Sequence, residues 1–208
     1  NQVWAAMDGK LGGHVRAAFE KVGLHALERV WDNGFRQMTT SGKPINTVQD
    51  MAGLKIRVPV SPLAISMFKG LGAAPGSLQF AELYTALQTK VYDAQENPLS
   101  IIQIAKMYEV QKFCSLTNHM WDGWWMIING RAWKELPEDL QKILSSSFNE
   151  AIVKERADVR ALNDSTMAEL KAKGMTFNSA KPETFRAALK QSGFYEEWRK
   201  KFGDEAWG

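Results

Sequence analysis

The sequence contains a single cysteine, Cys114, so no disulfide can close within the chain, and the compartment cannot be read from cysteine usage. Its three histidines are scattered and no Cys pair accompanies them, so no metal-ligand spacing and no cofactor motif emerges. Apolar runs are short. The longest, around Trp124 to Ile128, falls far below the length needed to cross a bilayer. The start, Asn1-Gln2-Val3-Trp4, has neither the basic residues nor the apolar stretch of a signal peptide, which leaves a cytosolic protein or a processed or truncated form. No block of one charge is present: 26 basic and 23 acidic residues are interspersed to a net +3, which argues against nucleic acid and membrane surfaces as partners. A nucleophile elbow, a phosphate loop and a dinucleotide fingerprint are also missing.

What remains is an ordinary globular composition, 45% hydrophobic and 24% charged over 208 residues, enough for one large domain or two small lobes. His14 to Lys21 has helical spacing, with Val15, Ala18, Phe19 and Val22 on one side, and Leu24 to Trp31 reads as one strand. Asp32-Asn33-Gly34 has turn chemistry, and extended patterns follow from Phe35 to Thr39 and from Leu54 to Pro59. Ser61-Pro62 has the form of an N-cap followed by proline at the first helical position, and a further helix is expected from Phe80 to Gln88. Two more strands, Phe113 to Thr117 and Trp124 to Ile128, are joined by a crossing segment. From Pro137 to Lys173 the pattern is helical almost without break, roughly 55 Å of helix, with Gly174 as its stop. This alternation predicts an α/β fold with mostly parallel pairing.

Few residues invite a chemical role. Arg57 stands at the C-terminal end of Leu54-Lys55-Ile56-Arg57-Val58-Pro59, where open α/β folds form their ligand crevice, and its planar fork suits a carboxylate. An internal ion pair with Glu82 or Asp93 explains the same residue equally well. Asn97, in Gln95-Glu96-Asn97-Pro98, either donates to a ligand or merely shapes a turn. Trp121, Trp124 and Trp125 either line a cleft or fill a core. His119, with Glu96 or Asp122, is the best general base for a hydrolase or lyase, though a structural histidine is the more ordinary reading. Cys114 fits a small buried hydrophobe better than a reactive thiol.

Several segments, in order, are similar to one known family: Asp32-Asn33-Gly34-Phe35-Arg36-Gln37, Gly53 to Pro59, Glu82-Leu83-Tyr84-Thr85-Ala86-Leu87-Gln88, Asp93 to Pro98, Tyr108 to Lys112 and Leu116-Thr117-Asn118-His119. They resemble the solute-binding proteins of tripartite ATP-independent periplasmic (TRAP) transporters, the C4-dicarboxylate-binding type. The resemblance implies a non-enzymatic, two-lobed α/β periplasmic binding protein of class II type, with a long helix spanning the lobes and no cofactor or metal. It implies that residues 1–34 are a remnant of the first lobe, 35–122 the second lobe, 123–162 a return to the first, and 163–208 helices packed on the second. The first third of such a protein, signal peptide included, is expected to be absent, leaving the first lobe incomplete. Arg57 is implied as the carboxylate clamp, Arg36 as a second cationic contact, Asn97 as a hydrogen-bonding partner and Phe80 as pocket lining. Trp121 and Trp124 join them as candidate ligand contacts, and with Val60 after Pro59 they tilt the expected ligand toward a less polar or aromatic carboxylate. The partners implied are a small organic acid and a TRAP membrane permease, with a homodimer known in some members. A ligand-responsive sensor of the same fold is the alternative function.

Overall fold

A computed structural model describes residues 2–207, apart from the side chain at position 164; the outermost positions of the expected first and last segments lie outside it. In chain order the elements are α1 (Gln2–Asp8), α2 (Lys10–Lys21), β1 (Leu24–Ala26), β2 (Trp31–Phe35), β3 (Gln37–Thr40), β4 (Lys55–Val58), α3 (Pro62–Gly70), β5 (Ala74–Ser77), α4 (Phe80–Gln88), β6 (Ala94–Asn97) and α5 (Leu99–Ile104). After these come β7 (Phe113–Leu116), β8 (Trp121–Trp124), β9 (Ile127–Asn129), α6 (Gly130–Glu135), α7 (Glu138–Ala172), β10 (Thr176–Ser179), α8 (Pro182–Gln191), α9 (Phe194–Phe202) and α10 (Asp204–Trp207). Contacts divide them into two compact units: Asn1–Gly34 with Trp121–Leu162, and Phe35–Met120 with Asn163–Gly208.

The first unit holds two small strand pairs, β1 with β9 and β2 with β8. Here three local expectations give way. Leu24 to Trp31 is not one strand: β1 stops at Ala26, Leu27 N donates to the Met126 carbonyl at 3.0 Å, and the Glu28 carbonyl accepts from Arg16 Nη1 at 2.6 Å. Tertiary partners for these backbone groups break the run, and no alternation pattern shows them. Asp32-Asn33-Gly34 lies inside β2 rather than in a turn, because its polar side chains find partners there. Asp32 Oδ1 accepts from Gly34 N at 2.9 Å and from Trp121 Nε1 at 2.8 Å, and Asn33 Nδ2 donates to Asp122 Oδ2 at 2.9 Å. Gly34, at φ 93°, supplies a backbone shape that a β-carbon would oppose. Finally, the expected strand Trp124 to Ile128 is split between β8 and β9, and β8 occupies part of what reads as a crossing segment.

The second unit is built on a six-stranded sheet in the order β10-β7-β3-β6-β4-β5. β4 is parallel to β5 and β6, β10 is parallel to β7, and β3 runs antiparallel to both its neighbours. The sheet is therefore mixed. Parallel strands need a crossover connection, and β3 enters directly after β2 with no helix between them. Five strands consequently point their C-terminal ends to one edge, where β3 begins.

Helix α3 starts as its sequence dictates: Ser61 Oγ accepts from Ala64 N at 3.3 Å and Pro62 fills the first turn. On one face of the sheet Met67 and Phe68 of α3, with Leu71 at its C-terminal cap, pack with Phe185, Leu189 and Trp198 over Met38, Ile56 and Val58. On the other, Leu83, Leu87, Ile102 and Leu170 surround Cys114. Burial pushes the Cys114 thiol up to about 12, so it stays protonated and acts as a small apolar filler. Phe68 is fully buried and its ring meets His119 edge-on at 5.5 Å. Phe68→Ala is expected to lower unfolding stability by about 3–5 kcal/mol in denaturant melts, through lost transfer energy and the void left behind.

Helix α7 is one unbroken element of 35 residues, ended by Gly174 at φ 94°. Its apolar positions serve two different cores: Ile152 is buried within the first unit and Leu170 within the second. Among the described residues no helix is long and apolar enough to cross a membrane.

Candidate functional site

The strand edge where β4, β6 and β7 end and β3 begins collects a dense set of buried polar groups. Strand β6, Ala94-Gln95-Glu96-Asn97, is buried throughout although three of its four residues are polar. Burial at that density is tolerable only if each group is satisfied. On one face Asn97 Nδ2 donates to Gln95 Oε1 at 2.6 Å, Gln95 Nε2 to Thr39 Oγ1 at 2.8 Å, and Thr39 Oγ1 to Gln111 Oε1 at 3.1 Å. This relay fixes the Asn97 amide, whose Oδ1 accepts from Arg36 Nη2 at 3.1 Å.

On the opposite face Glu96 is held by two partners. Arg36 Nε donates to Glu96 Oε2, Arg36 Nη2 donates to Oε1 at 2.9 Å and to the Glu96 carbonyl at 2.8 Å, and His119 Nε2 lies 3.1 Å from Oε2. Burial raises the Glu96 pKa, but the bonds from His119 and Arg36 outweigh it and hold the carboxyl below its ordinary range. It is a carboxylate at neutral pH. His119 Nδ1 lies 2.8 Å from Thr117 Oγ1, so both of its ring nitrogens are engaged.

Arg57, which pairs in register with Gln95, is differently placed. Only 3% exposed, it donates from Nε and Nη2 to the Leu78 carbonyl at 2.9 and 2.5 Å. Neither Glu82 nor Asp93 pairs with it, so the internal ion pair that the sequence allowed is not formed. Burial lowers its pKa, Glu96 opposes that and Arg36 adds to it, yet a guanidinium stays charged throughout.

The structure therefore brings Arg36, Asn97 and Arg57 together. Arg36 is committed to Glu96 and Asn97 and serves to position them. Phe80 begins α4 two residues after the Leu78 carbonyl that holds Arg57, and is 48% exposed. Trp121 and Trp124 belong to the first unit: the Trp121 indole is bonded to Asp32, and Trp124 is 57% exposed. Asp122 also lies in that unit, bonded to Asn33, and His119 is engaged at both ring nitrogens. A cavity of about 520 Å³ opens beside His119, between Met67, Phe185, Arg186 and Tyr195, and Arg57 does not line it.

Two structural roles escaped the sequence reading, which had set Glu96 beside His119 only as a candidate catalytic partner. Glu96 is the counter-ion of the edge, and a short strand with three polar residues in four was its signal. Gln37 is the other: its Oε1 accepts from Thr117 N and Asn118 N at 2.9 and 3.1 Å, and its Nε2 donates to Asn118 Oδ1 at 2.7 Å and to the Phe35 carbonyl at 3.1 Å. This one amide braces the left-handed Asn118, at φ 43°, and the segment that precedes β8. Gln37→Ala leaves those two N–H groups without their acceptor and is expected to cost about 2 kcal/mol in thermal or urea unfolding.

A pre-set cation and amide thus stand at the carboxyl edge of an α/β sheet, the place where such folds hold their ligands. The family described as bacterial extracellular solute-binding protein, family 7, matches residues 1–201, and the chain belongs to it. It is 43% identical over 145 residues to the 2,3-diketo-L-gulonate-binding periplasmic protein YiaO of Escherichia coli K12, covering 70% of this chain and 44% of that protein. A TRAP periplasmic solute binding protein from Polaromonas sp. JS666, bound to D-erythronate, superposes with a TM-score of 0.91 at 34% identity, over 97% of this chain and 66% of that one. The sugar acid binding protein DctPAm from Advenella mimigardefordensis, in complex with galactonate, gives 0.91 at 32% identity, over 99% and 67%. The chain thus spans less than half of the first relative and about two thirds of the two structures.

Proposed function

We propose that this chain captures a small organic carboxylate outside the cytoplasm and delivers it to a TRAP-type membrane permease. The observation that carries the reading is Arg57: a buried guanidinium, fixed by a backbone carbonyl and paired with no carboxylate of its own, beside the immobilised Asn97 amide. A charge kept dry and uncompensated costs folding energy, and an anionic ligand restores it. In this reading each compact unit is one lobe, and closure follows from the ligand's tighter binding to the closed state. Phe80 supplies an apolar wall, and Trp121 and Trp124 are the first lobe's candidate contacts. That relatives carry diketo-gulonate, erythronate or galactonate in their descriptions supports the carboxylate, and their periplasmic location supports an extracytoplasmic one.

The test is a thermal-shift screen of sugar acids, hydroxy acids, keto acids, dicarboxylates and aromatic carboxylates. Ligand binding to the folded state alone raises Tm by mass action, by about 2.7 kcal/mol of stabilisation at a hundredfold excess over Kd. A rise confined to one acid class is expected. A cooperative melt that no carboxylate shifts would remove the reading.

A further inference from the structure

Strand register sets a row of side chains across the second unit's sheet. Arg57 of β4 stands opposite Gly76 of β5 on one side and Gln95 of β6 on the other, and Gln95 stands opposite Thr39 of β3. Partners in register share a face of the sheet, on strands about 4.8 Å apart. On its β6 side Arg57 has a fixed neighbour, because Gln95 is fully buried and bonded to Thr39 and Asn97. On its β5 side position 76 offers no side chain.

That gap is filled from another part of the chain. A β-carbon on Gly76 would stand 2.1 Å from the Tyr92 hydroxyl oxygen and 2.9 Å from two carbons of its ring. Tyr92 lies just ahead of β6, packs on the core that holds Leu83 and Leu87, and reaches from there to β5. Gly76 is not needed for backbone freedom, since its φ lies outside the left-handed region. What it supplies is room. Arg57 uses the same strip of sheet: its Nε and Nη2 both donate to the Leu78 carbonyl, two residues beyond Gly76, so its fork leans over β5 rather than β6.

We propose that Tyr92 is a positioning residue for Arg57, with Gly76 as its steric partner. The phenol fills the space over Gly76, so the guanidinium cannot sink there and is held at the Leu78 carbonyl, at the strand edge. Neither residue falls in the segments that carry the family resemblance. The consequence for binding rests on the reading of Arg57 as the carboxylate clamp, whereas the positioning itself is measured without a ligand.

The experiment follows hydrogen exchange of the Arg57 Nε–H by NMR in isotope-labelled, ligand-free protein, the signal being assigned through Arg57→Lys, and then titrates D-erythronate by calorimetry. Tyr92→Leu keeps an apolar side chain on its core but cannot reach β5. It is expected to speed exchange at least roughly tenfold and to weaken erythronate binding roughly three- to tenfold, the effect of leaving one long side chain to be ordered by the ligand. Tyr92→Phe, which retains the ring, is expected to recover slow exchange and most of the affinity. Gly76→Ala is expected to behave like Tyr92→Leu, because its methyl displaces the phenol. The double variant should be no worse than either single one, since the methyl has room once the phenol is gone. Unchanged exchange in folded Tyr92→Leu overturns the proposal, and if that variant does not fold, unchanged exchange in Gly76→Ala does so. Losses that multiply in the double variant also overturn it, because the two residues would then not share one space. Faster exchange with unchanged erythronate affinity overturns the link to binding. Faster exchange in a protein whose wild type binds neither erythronate nor any acid of the wider screen upholds the positioning and removes the carboxylate clamp, so the two failures are told apart.

Discussion

Arg57→Ala is expected to weaken carboxylate binding by roughly a hundredfold or more, about 3 kcal/mol, measured by titration calorimetry. The side chain is 3% exposed and two of its N–H groups are spent on the Leu78 carbonyl, so the fork is aimed before a ligand arrives and little is lost in ordering it. Removing it deletes the one uncompensated cation of the edge, and neither Arg36 nor Asn97 can replace it, since both are tied to neighbours. The fold should survive. Leu78 loses its donors, but the repulsion between Arg57 and Arg36 vanishes with them. Arg57→Lys is expected to recover only part of the affinity, because an ammonium cannot hold the carbonyl and an anion in the same planar arrangement. A cooperative Arg57→Ala protein with wild-type affinity would rule out the clamp.

The second large effect concerns stability and acid. Glu96→Leu is expected to lower unfolding stability by about 3–5 kcal/mol, because the Arg36 guanidinium is left buried with no carboxylate beside it and His119 loses its partner. The pH dependence has a definite sign. The native pKa of Glu96 lies below its unfolded value, so its contribution is fully present above the unfolded value, about 4.3, and is lost as pH falls from there through the native one. Urea unfolding of wild type should therefore lose stability more steeply below pH 4 than Glu96→Gln, which has no proton to take up there. Parallel curves for the two proteins would mean that Glu96 is not ionised in the fold.

Much of this architecture is legible in the chain itself. Ser61-Pro62 announces α3, Gly174 ends α7 and the Phe80 to Gln88 helix appears where its apolar spacing sets it, because caps and helical periodicity are local physics. Local physics fails in the first unit. The turn residues 32–34 become a strand because Trp121 and Asp122, nearly ninety positions away in sequence, supply their bonds.

At the site the division is sharper. The sequence by itself determined the residue types at the edge: an arginine at the end of an apolar strand, and a Gln-Glu-Asn-Pro segment whose composition requires partners wherever it is buried. It could not determine which arginine would be free. That was decided by the tertiary structure, which brings Arg36 and His119 onto Glu96 from positions 60 and 23 residues away and turns Arg57 toward a backbone carbonyl instead. The charge of a side chain is written in the sequence, whereas its compensation depends on distances that only the folded sheet sets, and in a buried site the uncompensated charge decides what is bound.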